Sequence, residues 1–291
     1  MTKVVLINGL FVHDSGKTWF SVSLAKNFIN RGYNINIYKP VAGHSAWTQY
    51  FTVTRSKELK LLVGADVLTY LDLGLISNKE LPNTNPVDLL MSPVDIAKYL
   101  NANMFNKYLT DAFDQFKQIV LARITSCEDG IVKHFIVRNN LNHTVSSLVN
   151  DLMELSNIMK AEDVNIDELI KILKSPWIES NLDLCLKKKC YEKDVVIVES
   201  FNDAFTPYYS LLDYVDIVIS IGQGRAMLFD DLSDIKELIK ERITTLGDEG
   251  LKSLNLVNKL TPSSIIEIPP KSNIASMSDI DWGPLIKSIV T

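Results

Sequence analysis

Residues 3–18 read KVVLINGLFVHDSGKT, and this stretch decides the predicted fold. Residues 3–8 form a short, β-branched apolar run that ends at Gly9, so they predict a buried strand. After Lys17, apolar residues recur at helical spacing and predict a helix that ends at Gly32. The stretch therefore predicts a strand, a loop and a helix in direct succession, which is how a parallel α/β fold begins.

Further strands follow this first helix. Residues 33–38 (YNINIY) predict a second strand, and Pro40 ends it because proline cannot continue a ladder. A strand, helix and strand of this length form a right-handed parallel crossover. The continuous apolar runs 194–198 and 215–221 are typical of strands buried on both faces. Residues 251–257 and 265–268 are predicted as the last two strands, after an amphipathic helix over 231–245.

The length of 291 residues allows one large domain or two modest ones. Residues 93–193 carry Asn, Lys, Asp and Leu at helical spacing, and 131–137 is predicted as an added strand. We therefore expect a single P-loop α/β domain over 1–291. Its fold would be three-layer and doubly wound around a mostly parallel sheet, as in P-loop NTPases, with a helical insertion at about 94–193.

Composition and charge argue against several classes of function. The chain has 30 basic and 35 acidic residues, and the resulting net charge of −5 argues against a broad nucleic-acid surface. No stretch approaches the roughly 18 uninterrupted apolar residues that a membrane helix needs. Its three cysteines are an odd number without zinc-site spacing. We expect a cytoplasmic protein that acts on a small molecule and binds neither nucleic acid nor membrane.

Gly16-Lys17-Thr18 predicts a phosphate site because it opens a helix directly after a strand. Backbone N–H groups at a helix N-terminus bind phosphate, the lysine reaches the outer phosphates, and the threonine hydroxyl can ligate Mg²⁺. The expected ATP contacts are His13, Asp14, Ser15, Gly16, Lys17 and Thr18. The match to GxxxxGK[ST] is incomplete, since Phe11 replaces the first glycine and Gly9 lies two residues too early. An ordinary helix start is the alternative.

Two charged residues lie at predicted strand ends, Lys39 after the second strand and Glu199 after the 194–198 run. Ligands of open α/β sheets bind beyond these carboxyl ends. Lys17 and Lys39 are therefore the candidate catalytic residues, because paired ammonium groups stabilise charge during phosphoryl transfer.

The expected metal ligands are Thr18, Asp66 and Glu199, since Mg²⁺ prefers oxygen ligands. For Asp66, a helix N-cap is the stronger alternative. Arg225, in Gly-Gln-Gly-Arg after the 215–221 run, could bind a phosphate or an acidic substrate. A glycine turn with a surface arginine is the alternative there.

Taken together, these motifs resemble the dethiobiotin synthetase family, P-loop enzymes that use ATP and CO₂ to close a ureido ring on a diamine. The shared marks, in chain order, are the Gly16-Lys17-Thr18 loop, YKPVAG at 38–43, Asp66, Asn85-Pro86, Ser92-Pro93, Val198-Glu199, Phe205-Thr206-Pro207, Asn258 and Glu267-Ile268-Pro269. The resemblance implies ATP and Mg²⁺ as cofactors, Asn258 and Pro269 beside the adenine, a homodimer, and a place in biotin biosynthesis.

The chain differs from that family in the residues expected to contact the acceptor substrate. Residues 200–203 (SFND) replace the family's GAGG, which removes glycines that let backbone approach a ligand. Gly43 replaces a serine, although Ser45 is near. We therefore expect ATP chemistry with a changed acceptor, whose contacts would be Lys39, Ser45, Asn202 and Arg225. Two alternatives stay open: a nucleotide-dependent switch that acts on a protein partner, and a ligase or kinase for another small carboxylate.

Overall fold

A computed structural model of the protein describes residues 2–12, 15–270 and 280–290. Its strands, in chain order, are β1 (Lys3–Gly9), β2 (Ile35–Tyr38), β3 (Val41–Ser45), β4 (Val87–Met91), β5 (Ile119–Thr125), β6 (Val132–Ile136), β7 (Glu162–Asp163), β8 (Val195–Glu199), β9 (Ile217–Gly222), β10 (Arg225–Phe229) and β11 (Ser264–Glu267). Its α-helices are α1 (Lys17–Asn30), α2 (Phe51–Leu59), α3 (Ala65–Asp72), α4 (Leu81–Thr84), α5 (Ile96–Asn101), α6 (Phe105–Phe113), α7 (Gln115–Gln118), α8 (Arg138–His143), α9 (Ser146–Ile158), α10 (Ile166–Leu173), α11 (Pro176–Cys190), α12 (Ile235–Leu246), α13 (Ser253–Val257) and α14 (Gly283–Val290). Within these described residues, no helix is long and apolar enough to cross a membrane.

The chain divides into two compact units. The first comprises Met1–Pro40, Tyr70–Ser77 and Asp183–Thr291, and the second comprises Val41–Thr69 and Asn78–Leu182. This division differs from the expected single domain with an insertion over about 94–193. The difference arises because residues 41–69 and 78–93 fold with the middle of the chain around a sheet of their own.

The first unit contains a six-stranded sheet in the order β11-β10-β9-β1-β8-β2. Strands β1, β2, β8 and β9 pair in parallel, whereas β10 pairs antiparallel with both β9 and β11, so this sheet is mixed. Strands β1, β2, β8, β9 and β11 and helices α1 and α12 confirm the predicted elements. The parallel strands are buried along most of their length, as their continuous apolar runs indicated.

One prediction for the first unit was wrong, and one alternative is confirmed. Residues 251–257, predicted as a strand, lie at the end of a 3₁₀-helix and in α13. The segment after β9 is the glycine turn with a surface arginine, because Gln223 and Gly224 form the two-residue turn of a β9–β10 hairpin and Arg225 is exposed. Gly224 has a φ of +79°, which glycine adopts at little cost.

The second unit contains a five-stranded sheet in the order β3-β4-β5-β6-β7. Its β3–β4 and β6–β7 pairs are parallel, and the two central pairings are antiparallel. The predicted strand at 131–137 is confirmed as β6, but β5 and β7 also lie within 94–193, so that segment is not wholly helical. Leu90 and Leu121 of the sheet pack with Leu148 and Leu152 of α9 in the core.

Candidate functional site

The loop between β1 and α1 is closed by contacts of Gly9 and Ser15. A Cβ on Gly9 would lie 2.7 Å from Ser15 Oγ, so only glycine fits there. Ser15 Oγ accepts a hydrogen bond from the Phe11 N–H at 3.0 Å and donates one to the Phe11 carbonyl at 2.8 Å. His13 and Asp14, two of the expected ATP contacts, lie outside the described residues. Gly9 thus serves the packing of this longer loop.

Helix α1 begins at this loop, and the electrostatics of its N-terminal end bear on anion binding. Gly16 is its N-cap, with a left-handed backbone at a φ of +88°, and glycine has no side chain that could cap the helix. Its first turn contains no acidic residue. The N–H groups of this turn and the positive end of the helix dipole therefore favour an anion at this position.

Glu199, at the end of β8, lies at the centre of the candidate site and is fully buried. Its Oε1 accepts hydrogen bonds from Lys39 Nζ at 2.6 Å and from Thr18 Oγ1 at 3.1 Å. Its Oε2 accepts one from the Tyr70 hydroxyl. Lys39 Nζ also donates to the Ser200 carbonyl at 2.9 Å, so the buried ammonium and carboxylate neutralise each other. The strand-end positions that the sequence predicted for Lys39 and Glu199 are confirmed.

Lys17 and Asn202 connect the phosphate loop to the segment after β8. Lys17 Nζ donates to the Asn202 carbonyl at 2.6 Å. Asn202 has a φ of +45°, a left-handed conformation that asparagine tolerates better than most residues. Residues 200–203 therefore include one glycine-like backbone position, and the carbonyl of Asn202 accepts the hydrogen bond from Lys17.

Sequence reasoning missed Tyr70, which is fully buried and hydrogen-bonded to Glu199. It lies in α3, four residues after Asp66, and that spacing was the available signal, because residues four apart share a helix face. A tyrosine in a helix is far more often a core residue, so the spacing alone could not have identified it.

The other predicted residues are distributed over both units. Asp66, in the first turn of α3, and Ser45, at the end of β3, belong to the second unit. The Ser45 hydroxyl accepts hydrogen bonds from the N–H groups of Trp47 and Thr48, each at 3.2 Å, so it caps a turn. Arg225 lies on β10 and forms an ion pair with Glu267 of β11 at 3.0 Å.

The two residues expected near adenine belong to the first unit. Asn258 is exposed at the C-terminal end of α13, and Pro269 is half-buried just beyond β11. Their role beside a nucleotide base stays a prediction.

Two buried tyrosines adjoin the Lys39 segment. Burial raises the pKa of Tyr38 well above its usual value, and the neighbouring Tyr208 and Asp183 raise it further. Burial is also the largest cause of the raised pKa of Tyr208. Both phenols are neutral at ordinary pH, so they add no charge beside the ion pair of Lys39 and Glu199.

The oxygen atoms at this centre fit a hard cation. Thr18 Oγ1 and Glu199 Oε1 lie 3.1 Å apart, and Mg²⁺ prefers hydroxyl and carboxylate oxygens of this kind. Within the described part of the chain, no group of three or more His, Cys, Asp or Glu side chains could hold a metal ion by itself. Lys39 contacts the same Oε1 atom, so a cation there would compete with its ammonium group.

The second unit contains a different buried polar cluster, centred on Arg123 in β5. Arg123 is fully buried, and it donates to the Leu62 carbonyl at 2.7 Å and to Asn85 Oδ1 at 2.8 Å. It lies directly opposite Asp88 in the β4–β5 pairing, with Nη2 3.6 Å from Asp88 Oδ2. Burial and, to a smaller extent, the charge of Arg123 lower the pKa of His134, its neighbour on β6, to about 4.

Comparisons of the chain with protein-family models, with curated proteins and with solved structures found no match. The physical arrangement of these side chains therefore carries the functional argument.

Proposed function

We propose that the first unit binds ATP and Mg²⁺ where α1 begins and β8 ends, in a three-layer fold of the P-loop NTPase type. We further propose that the protein is an ATP-dependent ligase that acts on a small molecule in the cytoplasm. One observation supports this proposal above the others. Thr18 and Lys39 both contact the buried carboxylate of Glu199, beside Lys17 and the start of α1.

Each residue has a distinct role in this proposal. The N–H groups of α1 and the Lys17 ammonium bind the phosphates, because both present fixed positive charge. The oxygens of Thr18 and Glu199 would hold Mg²⁺, whereas Asp66, which the family resemblance implies as a ligand, belongs to the second unit and has no role in this proposal. Bound ATP and Mg²⁺ would supply an activated phosphoryl group and neutralise its charge. Lys39 then stabilises negative charge on the transferring group and on the acceptor.

The acceptor in this proposal differs from the family's diamine. In the family that the sequence resembles, an amine and CO₂ form a carbamate, phosphorylation activates it, and the second amine displaces phosphate to close the ring. Here residues 200–203 carry side chains where that family has glycines. Asp203 adds a carboxylate that forms an ion pair with Lys252 Nζ at 4.0 Å, so this segment places a pair of charged side chains where glycines would leave open backbone.

Isothermal titration calorimetry with ATP and Mg²⁺ tests the nucleotide site. Wild-type protein is expected to bind, and Lys17→Ala is expected to lose affinity at least about 30-fold, or about 2 kcal/mol. Lys26→Ala is the matched control, since Lys26 lies on the same helix but away from its N-terminus. If folded Lys17→Ala bound ATP as tightly as wild type, the phosphate site would be wrong.

A product assay tests the acceptor separately. Purified protein with ATP, Mg²⁺, bicarbonate and diaminopelargonate is expected to form little or no dethiobiotin. Turnover at the ~1 to 10³ s⁻¹ typical of enzymes would show that the family's acceptor is retained. That result would contradict the changed acceptor while leaving the ATP site intact.

A further inference from the structure

A row of large apolar side chains is exposed on the second unit, along α5, α6 and α7. We call it the apolar stripe, and it consists of Leu100, Met104, Phe105, Leu109, Phe113 and Phe116. Phe113 is 86% exposed, which is exceptional for an aromatic residue of a globular protein. Exposed apolar side chains concentrated on three adjacent helices favour an interaction site.

The contacts of α6 hold its polar side inward. Asp111 is the buried residue of this helix, and its Oδ2 accepts a hydrogen bond from the Tyr99 hydroxyl at 2.7 Å. Tyr108 packs its ring 5.8 Å from the ring of Tyr99. Burial and the bond to Asp111 raise the pKa of Tyr99, so its hydroxyl remains a donor. The outward orientation of the apolar face is therefore fixed by specific contacts.

The sequence of α6 is symmetric along this face. Residues 105–113 read FNKYLTDAF, so Phe105 and Phe113 are each four residues from Leu109. Residues four apart share a helix face, and the three side chains form one line. If α6 of a second copy packs antiparallel on this helix, Leu109 contacts Leu109 of the second copy. Phe105 of each copy then contacts Phe113 of the other. This is the arrangement that a two-fold axis requires.

The exposed area suits such a pair. The exposed fractions of the stripe amount to roughly 600 Å² for each copy, given side-chain areas of about 150–250 Å². Two copies would bury about 1,200 Å², the lower bound for a specific interface. The charged side chains of α6, Lys107 and Asp111, lie two residues on either side of Leu109 and so on the opposite face of the helix. Pairing would therefore desolvate no charge of α6.

We propose that the apolar stripe is the surface through which two copies of this chain form a dimer, with α6 packed antiparallel on α6 about a two-fold axis at Leu109. The family resemblance led us to expect a homodimer without indicating its surface. This proposal is independent of the proposed catalytic activity, because no residue of the phosphate or metal site belongs to the stripe.

Sedimentation velocity of the full chain over a range of concentrations tests this dimer. Wild type is expected to be dimeric, and Leu109→Asp, which opposes two carboxylates at the axis, is expected to weaken dimerisation at least 100-fold. Leu254→Asp is the control, because Leu254 is a comparably exposed leucine of the first unit. Circular dichroism melts confirm that each variant is folded.

Cysteine cross-linking tests the axis itself, in a Cys190→Ser background that removes the free thiol. Upon oxidation, Leu109→Cys is expected to form a disulfide with the same residue of the second copy. Phe105→Cys is expected to cross-link only when mixed with Phe113→Cys. A monomeric wild type, a dimer that Leu109→Asp does not weaken, or cross-linking of Phe105→Cys to itself would overturn the proposal. A monomer that pelleted with anionic vesicles would overturn it in favour of a lipid surface.

Discussion

Each unit contains a fully buried pair of opposite charges, and the two pairs differ in position. Lys39 and Glu199 lie at the carboxyl ends of parallel strands, beside the start of a helix. Arg123 lies in the interior of β5, and its guanidinium donates to the carbonyl and amide oxygens that surround it. A buried ion pair by itself therefore does not identify a functional site. Its position relative to strand ends and helix termini distinguishes candidate chemistry from structural support.

The largest change in the free energy of unfolding is expected when the ion pair of Arg123 and Asp88 is broken. Arg123→Met leaves Asp88 buried without its cation, and we expect a loss of about 3–5 kcal/mol in the free energy of unfolding. Urea denaturation measures this loss. The double variant Arg123→Met with Asp88→Asn removes both charges and is expected to recover most of it. A single variant as stable as wild type would mean that this pair does not support the second unit.

His134 should make the stability of the same cluster pH-dependent. Its pKa is lowered from 6.5 to about 4 in the folded state, so the unfolded state binds the proton more readily between these values. The free energy of unfolding should therefore fall as pH drops from about 6.5 to about 4, by at most about 3 kcal/mol. His134→Gln is expected to lose this slope, whereas His143→Gln of the same unit should keep it. Urea midpoints at pH 7, 5.5 and 4.5 measure the difference, and equal slopes in all three proteins would contradict it.

The same contrast explains how much the sequence could predict. The parallel strands of the first unit are continuous apolar runs, and the residues at their ends, Lys39 and Glu199, could be located from the pattern alone. In the second unit, Arg123 interrupts the run of β5, and β3 (VAGHS) has no apolar alternation, so these strands were missed. The contact of Tyr70 with Glu199 also depends on tertiary packing, which local periodicity does not encode.

A smaller effect, on ligand affinity, is expected from Glu199→Gln in the candidate site. Because this variant leaves the buried Lys39 without its carboxylate, circular dichroism first confirms that it is folded. The amide keeps hydrogen-bonding capacity but loses the charge that a divalent cation needs. We expect ATP affinity in the presence of Mg²⁺ to fall about tenfold, or about 1.4 kcal/mol, with little change in affinity measured in EDTA. Calorimetry under both conditions measures the two affinities. Glu241→Gln, at an exposed position of α12, is the control, and equal losses with and without Mg²⁺ would remove the metal role of Glu199.

The smallest effect concerns Asn202, where a residue other than glycine has a left-handed backbone conformation. Asn202→Gly relieves the cost of that conformation but adds freedom to the unfolded chain, and these terms nearly cancel. We expect the free energy of unfolding to change by less than about 0.5 kcal/mol. Asn202→Val should lose more than about 1 kcal/mol, because a β-branched residue resists positive φ. Thermal denaturation of both variants separates these outcomes. Equal stability of the glycine and valine variants would show that this backbone position is not held in the left-handed region, and the carbonyl that Lys17 contacts would then need another explanation.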